Sequence, residues 1–419
     1  MSTTSSIVTS RSVPTLTGDL WGGLASMLVA LPASIAFGVL IYSSLGANFV
    51  AHGAMAGILG AAAIGIVAPL VGRNGVLISA PCAPAAAVLA AVTAELLSAG
   101  TLNITAATIP LLLGLIVLGA GLLQILYGLL GCGRLIKFIP YPVVTGYLSA
   151  VGLLIILGQL AKLTGLPRGT PLGEGLITPS LWKWPSVLVG LTAMLVMVHG
   201  QRLTKRIPAP VLGLGAGILA YFVLALFDRT LLQTEGNSLI VGPIQLSGSF
   251  LDLMTGRLRS LGDLRFDLLR LVIVPATTLS ILLSIDTLKT CVVMDALSGA
   301  RHNSDRELIA QGTGNVAAFA AGGMAGAGTM GPTLVNLSSG GQSWRSAAIE
   351  GAAVVAILAF VPGLVTWVPI GALAGILLVV AWRMIDRSMF RLLATPAGRQ
   401  DFAVIATVVV TALGVDLIA

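Results

Sequence analysis

The sequence predicts an all-α integral membrane protein, and three features of its composition support this. Mean hydropathy is +0.99, and 56% of the 419 residues are hydrophobic while only 9% are charged. A soluble domain carries about 25% charged residues, so this chain has too few charges to cover a water-facing surface. Its 51 glycines suit helices whose backbones approach closely in lipid.

The apolar residues are gathered into about fourteen segments, most of them near the length of roughly 20 residues with which a helix crosses a bilayer. The segments are 21–42, 51–71, 85–98, 109–130, 143–160, 185–198, 211–227, 268–293, 308–324, 330–337, 347–364, 369–384, 389–393 and 402–419. The thirteenth is weakly marked, because only 389–393 is clearly apolar.

The basic residues predict that both termini are cytoplasmic. Short cytoplasmic loops are enriched in Lys and Arg. The connections after even-numbered segments hold Arg73, Arg134, Lys137, Arg202, Lys205, Arg206, Arg301, Arg306, Arg345, Arg387 and Arg391. The first, third, ninth and eleventh connections hold none, whereas Lys162, Arg168, Lys183, Arg399 and four arginines within 228–267 are exceptions. We therefore predict a cytosolic tail at 1–17, a membrane domain at 18–419 with an extracytoplasmic loop at 228–267, and a bacterial inner membrane location.

The remaining composition argues against other classes of protein. The net charge of +7 is explained by the basic loops, so membrane lipid and not nucleic acid is the expected partner. The cysteines Cys82, Cys132 and Cys291 form no CxxC pair, and no metal centre or cofactor is predicted from them. GxSxG, HExxH and Walker motifs are absent from the sequence, so we do not expect an enzyme.

Two short segments, the third and the tenth, indicate a transport site. Each follows a break rich in Gly, Pro and Ala, at 78–84 and 322–332. They occupy matching places in two halves of seven segments, which is typical of inverted-repeat transporters with broken helices. Two half-helices that point their N-termini at one spot would form an anion site. The alternative is that these residues only form kinks or packing notches.

The eighth segment contains ionisable groups, which are costly in a membrane and suggest function. Asp286, Lys289 and Thr290 share one helix face, because they are spaced i, i+3 and i+4. Asp286 and Thr290 could bind sodium, Asp286 could exchange a proton, or Lys289 could pair with Asp286 as a permanent counter-charge. A purely structural ion pair is the fourth interpretation. Glu350, near the start of the eleventh segment, could face the cavity or cap a helix end, and we favour the cap.

Several motifs resemble the membrane domain of the sulfate permease (SulP) family, also called solute carrier family 26. They are GDLWGGL at 18–24, ALPASIAFG at 30–38, ISAPCAP at 78–84, RHNSDRELIAQGTGN at 301–315, GGM at 322–324, and Asn336 followed by SGG at 339–341. The resemblance extends from about Gly18 to the end of the chain.

The resemblance implies a fold of fourteen segments in two inverted seven-segment repeats. It divides the chain into a core (about 18–131 and 268–341) and a gate (about 132–227 and 342–419), with the anion between half-helices at segments 3 and 10. Transport would follow an elevator-like shift of core against gate. The family also implies a homodimer and a cytoplasmic STAS domain, which is absent from this chain.

Within the family, GAGTMG at 326–331 looks most like cyanobacterial sodium-dependent bicarbonate transporters. By that similarity, the anion would face Phe37, Pro81, Cys82, Ala83, Ala327, Gly328 and Thr329. Sodium would lie among Asp286, Thr290, Gly328 and Thr329. Bicarbonate is the first expected substrate and sulfate the second; a dicarboxylate or nucleobase carrier and a channel-like anion pore are the alternatives.

Three departures from the family pattern bear on these expectations. Lys289 stands where an apolar residue is usual, so an ammonium there could replace sodium. Cys82 stands where a hydroxyl residue is common, which weakens hydrogen bonding to an anion. Pro332 stands where many members carry a polar or basic residue.

Overall fold

The computed structural model describes residues 15–46, 49–73, 75–98, 108–134, 141–167, 170, 172–203, 208–234, 237–243, 266–298, 301–360, 363–385, 389–392 and 396–414. Most of the predicted cytosolic tail and residues 244–265 of the predicted extracytoplasmic loop lie outside these ranges.

The described chain is mostly helical, and each of the fourteen predicted segments contains a helix. In chain order the helices are α1 (Leu16–Tyr42), α2 (Val50–Gly72), α3 (Ala83–Ser98), α4 (Ile109–Leu129), α5 (Tyr141–Thr164), α6 (Leu172–Ile177), α7 (Trp184–Leu203), α8 (Ala209–Phe227), α9 (Phe266–Ser298), α10 (Ser304–Ala321), α11 (Met330–Ser338), α12 (Trp344–Phe360), α13 (Gly363–Thr366), α14 (Ile370–Met384), α15 (Met389–Leu392) and α16 (Pro396–Gly414). The short helices α6 and α13 were not predicted, and the weak thirteenth segment forms only α15.

Capping residues explain where two of the helices begin. The hydroxyl of Thr15 accepts a hydrogen bond from the Gly18 amide at 3.3 Å, so α1 starts five residues before the predicted segment. The side-chain oxygen of Asn303 accepts from the Arg306 amide at 3.0 Å and starts α10. A side-chain oxygen in this position satisfies one of the free amides of the first turn.

The longer helices pack as two groups. The first group consists of α1, α2, α3, α4, α9, α10, α11 and α12, and the second of α5, α7, α8, α14 and α16. Contacts between the groups are fewer and involve mainly α1 with α8 and α14, and α3 with α5. Helix α12 packs on α1 and α2, although its residues fall in the part assigned to the gate from the sequence.

The outer surface of the described helices is apolar. Phe227, Phe360 and Leu226 are 86%, 84% and 79% exposed, which water would disfavour and lipid would not. Five described stretches are long and apolar enough to cross a membrane: 16–45, 50–72, 109–129, 209–227 and 271–297. The exposed apolar surface and these five stretches together indicate a protein that crosses the membrane several times.

The start of α1 is fastened to the loop before α12. The buried carboxylate of Asp19 accepts hydrogen bonds from the amides of Gln342 and Ser343 at 2.8 and 3.0 Å, and from the Ser343 hydroxyl. Asp19 therefore connects two distant parts of the first group.

Candidate anion-binding site

Two short strands bring together the breaks that precede α3 and α11. Strand β1 (Ser79–Pro81) pairs antiparallel with β2 (Gly326–Gly328), and Ala80 lies opposite Ala327. All six residues are buried. A side chain at Gly326 would put its Cβ 2.4 Å from the Ala80 carbonyl oxygen, so this crossing requires glycine. The strands therefore bring the starts of α3 and α11 to one place inside the first group.

The predicted anion-binding residues lie around this crossing. Pro81 ends β1, Cys82 joins it to α3, and Ala83 is the first residue of that helix. Ala327 and Gly328 belong to β2, and Thr329 immediately precedes α11. Phe37 of α1 is in the same buried apolar cluster as Cys82, Ala83 and Ala327. The structure thus brings these residues together.

The two helices begin in the middle of packed protein. Helix α11 has nine residues and is about 14 Å long at 1.5 Å per residue, too short to cross a hydrocarbon layer of about 30 Å. Among the described residues no side chain caps its N-terminus. The Thr329 hydroxyl instead donates to the Ile78 carbonyl at 3.2 Å. The first amides of α11 therefore have no side-chain acceptor and remain suited to an anion.

Polar side chains from α10 and α9 hold β2 in position. The Asn315 amide group donates to the Gly326 carbonyl at 3.1 Å and accepts from the Gly326 amide at 2.9 Å. It also donates to the Gln124 side chain of α4 at 2.8 Å. On the other side, the Thr287 hydroxyl accepts from the Gly328 amide at 2.9 Å.

Strand β1 is held in a similar way. The Gln311 side chain donates to the Ser79 hydroxyl at 2.6 Å and to Glu307 at 2.8 Å. Sequence reasoning missed Thr287, Gln311 and Asn315. The spacing of Glu307, Gln311 and Asn315 by four residues could have revealed the last two, since it places three polar groups on one face of α10. Thr287 gave no such signal.

Asp286 and Lys289 form an ion pair in α9. The Lys289 Nζ donates to Asp286 Oδ1 at 2.7 Å, and their side chains are 36% and 15% exposed, respectively. The Thr290 hydroxyl donates to the Asp286 backbone carbonyl at 3.0 Å, so it bonds within its own helix. Both charges of the pair lie within electrostatic range of Cys82.

The residues predicted to bind sodium do not fit that ion in this arrangement. Asp286 is the only carboxylate among Asp286, Thr290, Gly328 and Thr329, and one of its oxygens already binds an ammonium. A hard cation needs several oxygen ligands and would be repelled by Lys289 at this distance.

The prediction that Glu350 caps a helix is wrong. Helix α12 begins at Trp344, three residues before the predicted segment, which places Glu350 in its second turn. The side chain is fully buried, and neither carboxylate oxygen has a hydrogen-bond partner among the described residues.

Residues 16–408 match the sulfate permease family. The bicarbonate transporter BicA of Synechocystis sp. is 32% identical over 410 residues, which cover 96% of this chain and 67% of that protein. BicA of Picosynechococcus sp. is 31% identical over 395 residues, covering 89% of this chain and 62% of that protein.

Among solved structures, the transmembrane domain of a cyanobacterium bicarbonate transporter BicA superposes with a TM-score of 0.76 at 31% identity, covering 95% of this chain and 96% of that chain. The chain spans only about two thirds of the length of the full BicA proteins. The resemblance found in the sequence is confirmed, and the relatives are named as transporters, in agreement with the expectation that the chain is not an enzyme. The chain is a multi-pass membrane protein and belongs to the sulfate permease family.

Proposed function

We propose that this protein is a secondary transporter of small inorganic anions, with bicarbonate as its first substrate and sulfate as its second. Its relatives in two cyanobacteria are named bicarbonate transporters, and its family is that of sulfate permeases. We place it in the inner membrane with both termini in the cytoplasm, and the distribution of Lys and Arg supports this orientation.

The observation that supports this proposal most strongly is the crossing of β1 and β2 beside the ion pair of α9. The N-terminus of a helix carries roughly half a positive charge, and α3 and α11 begin at the two ends of one small sheet. Asp286 and Lys289 cancel each other, so the helix ends provide the positive potential that attracts the anion. In this proposal α3 and α11 are the half-helices of two inverted repeats.

Lys289 takes the place of a co-transported cation in this mechanism. Its ammonium remains bound to the protein at 2.7 Å from Asp286 and supplies the positive charge that sodium would otherwise bring. Because this charge cannot be released, the protein would work as a uniporter or an exchanger without sodium coupling.

The two helix groups suggest how the anion crosses the membrane. The site lies entirely on helices and strands of the first group, and contacts with the second group are few. We propose that the first group carries the anion in an elevator-like shift along the second. Because α12 packs on α1 and α2, it would move with the core, so the core would end after α12 and not at residue 341.

Uptake into proteoliposomes tests the transport function. We expect labelled bicarbonate uptake to saturate with concentration, with sulfate competing and dicarboxylates or nucleobases competing weakly. Linear uptake that never saturates would indicate an anion pore, and preferred uptake of a dicarboxylate or nucleobase would contradict the proposed substrate.

A matched pair of variants connects uptake to the site. Gly326→Ala puts a Cβ 2.4 Å from the Ala80 carbonyl and should abolish uptake by separating β1 from β2. Gly215→Ala in α8 meets nothing within 4 Å and should leave uptake unchanged. Equal uptake by both variants would mean that the crossing is not part of the site.

A further inference from the structure

Glu350 lies where α12 crosses α2 through glycines. The carboxylate oxygen Oε2 lies 2.5 Å from the position that a Cβ at Gly65 would take. A Cβ at Gly351 would in turn lie 2.6 Å from the backbone carbon of Gly65. The carboxyl is thus enclosed by two backbones in close contact, and none of its surface is exposed.

Within the described part of the chain, no charged group compensates this carboxyl. On α1, Asp19 is engaged by the loop before α12. On α2, His52 lies about 20 Å along the helix from Gly65 at 1.5 Å per residue, and Arg73 lies over the Trp344 ring. On α12 itself, Arg345 belongs to the preceding turn, and no ion pair of the described residues includes Glu350.

This environment determines which form of the carboxyl is stable. An ionised carboxylate that is removed from water without a charged or hydrogen-bonding partner is strongly unfavourable, whereas the neutral acid is tolerated. Other carboxyls in the described helices have partners: Asp286 has the Lys289 ammonium, Asp19 accepts hydrogen bonds from the loop before α12, and Glu307 accepts one from Gln311. An unpaired acid inside a membrane protein suggests a function, and proton binding is the function that this geometry favours.

We propose that Glu350 is a proton-binding site, which holds its proton while α12 is packed on α2. Because α12 would move with α1 and α2, this crossing stays closed and the acid keeps its proton as the first group moves. The prediction for transport rests on the proposed function, whereas proton binding does not.

Infrared spectroscopy of the full chain in lipid tests proton binding directly. At about pH 7.5, exposed Asp and Glu are ionised, so a carboxylic-acid C=O band reports a buried neutral acid. We expect this band in the native protein and its loss in Glu350→Gln, with Glu350→Met as a second variant. Glu95→Gln, which changes an exposed carboxyl of α3, should keep the band. A native protein without the band, or a band that persists in both Glu350 variants, would overturn the proposal.

Transfer to D₂O tests whether the proton is kept during transport. Deuteration shifts the same band, and we expect the shift to be equally slow in the native protein with and without bicarbonate. A severalfold faster shift with bicarbonate would show that the crossing opens and would refute retention of the proton during transport. If the uptake experiment shows that bicarbonate is not a substrate, the proposed function fails while the band itself still decides proton binding.

The pH dependence of stability provides a third measurement. A group that is neutral in the folded protein and ionised when unfolded makes the folded state bind more protons, so stability falls as pH rises above the ordinary pKa of Glu. We expect the unfolding temperature of the native protein to fall relative to that of Glu350→Gln between about pH 6 and about pH 9. Parallel curves for the two proteins would contradict a neutral Glu350.

Discussion

Two acidic residues of the membrane part, Asp286 and Glu350, are accommodated in opposite ways. Asp286 in α9 has an ammonium at 2.7 Å and is partly exposed beside the strand crossing. Glu350 in α12 is fully buried against glycine backbone and has no partner among the described residues. Asp286 is therefore stabilised by a fixed cation, whereas we propose that Glu350 is stabilised by a bound proton; neither depends on backbone hydrogen bonds of the kind that hold Asp19. Replacing the carboxyl by an amide should therefore affect Asp286 and Glu350 differently.

The largest effect is expected when the charge of Asp286 is removed. Asp286→Asn leaves the partly exposed Lys289 ammonium without its counter-charge beside the proposed anion site, which should lower the unfolding temperature and disturb the binding and release of the anion. We expect a fall in the kcat/KM of uptake of about ten- to a hundredfold, equivalent to about 1.4–2.8 kcal/mol of transition-state stabilisation.

The double variant Asp286→Asn with Lys289→Gln is the control for this effect. It removes both charges and should recover much of the lost unfolding temperature, because no ammonium is left without a partner. If Asp286→Asn alone is as stable as the native protein, the ion pair between Asp286 and Lys289 does not contribute to stability.

The next largest effect is expected at the clamp on β2. Asn315→Ala removes the bonds that Asn315 makes to the Gly326 amide and carbonyl and to Gln124 Oε1, and an unsatisfied buried group costs roughly 1–3 kcal/mol. Thermal unfolding should detect this loss, and bicarbonate uptake should fall with it. Thr407→Val removes a hydroxyl that bonds only within exposed α16 and should change neither quantity. An Asn315→Ala protein with native stability would show that the clamp does not hold the strand.

A smaller effect is expected at the helix crossing beside Glu350. Gly351→Ala forces a Cβ against the backbone of Gly65, and such overpacking costs typically about 1–3 kcal/mol. Gly215→Ala has open space in α8 and should instead stabilise that helix by up to about 1 kcal/mol. The difference between the two unfolding temperatures measures how tightly α12 packs on α2, and equal temperatures would contradict the close crossing.

The smallest effect is expected when Glu350 is replaced by a residue of similar size. Glu350→Gln keeps the side chain neutral and should lower the free energy of unfolding by less than about 1.5 kcal/mol at neutral pH. Asp286→Asn also replaces a carboxyl by an amide and should lower the free energy of unfolding by more. If the order of the two is reversed in thermal unfolding, the distinction between a paired and a protonated carboxyl does not hold.

The fold could be predicted from the sequence because bilayer thickness sets the length of apolar segments, and each of the fourteen segments contains a helix. The approach of Lys289 to Asp286 could also be predicted, because residues spaced i and i+3 are neighbours on a helix. The breaks at 78–84 and 322–332 were recognisable from Gly and Pro, although their pairing as strands was not.

The partners of distant residues could not be predicted from local patterns. Helix α12 packs on α1 and α2 through glycines whose fit appears only in three dimensions. The prediction that Glu350 caps a helix end failed for a related reason. The apolar pattern begins at Ala347 while the helix begins at Trp344, so a residue in the second turn looked like one at the end. Thr287 and Asn315 act on backbone atoms far along the chain, which a pattern of side chains does not show.

The role of Lys289 as a built-in counter-charge is tested most directly by the sodium dependence of bicarbonate uptake. Uptake is measured in proteoliposomes that contain either the native protein or Lys289→Leu. If Lys289 replaces sodium, native uptake is the same with and without a sodium gradient, and Lys289→Leu either loses uptake or requires sodium. If native uptake rises with sodium, Asp286 binds that ion during transport, and the assignment of Lys289 as a built-in counter-charge is contradicted.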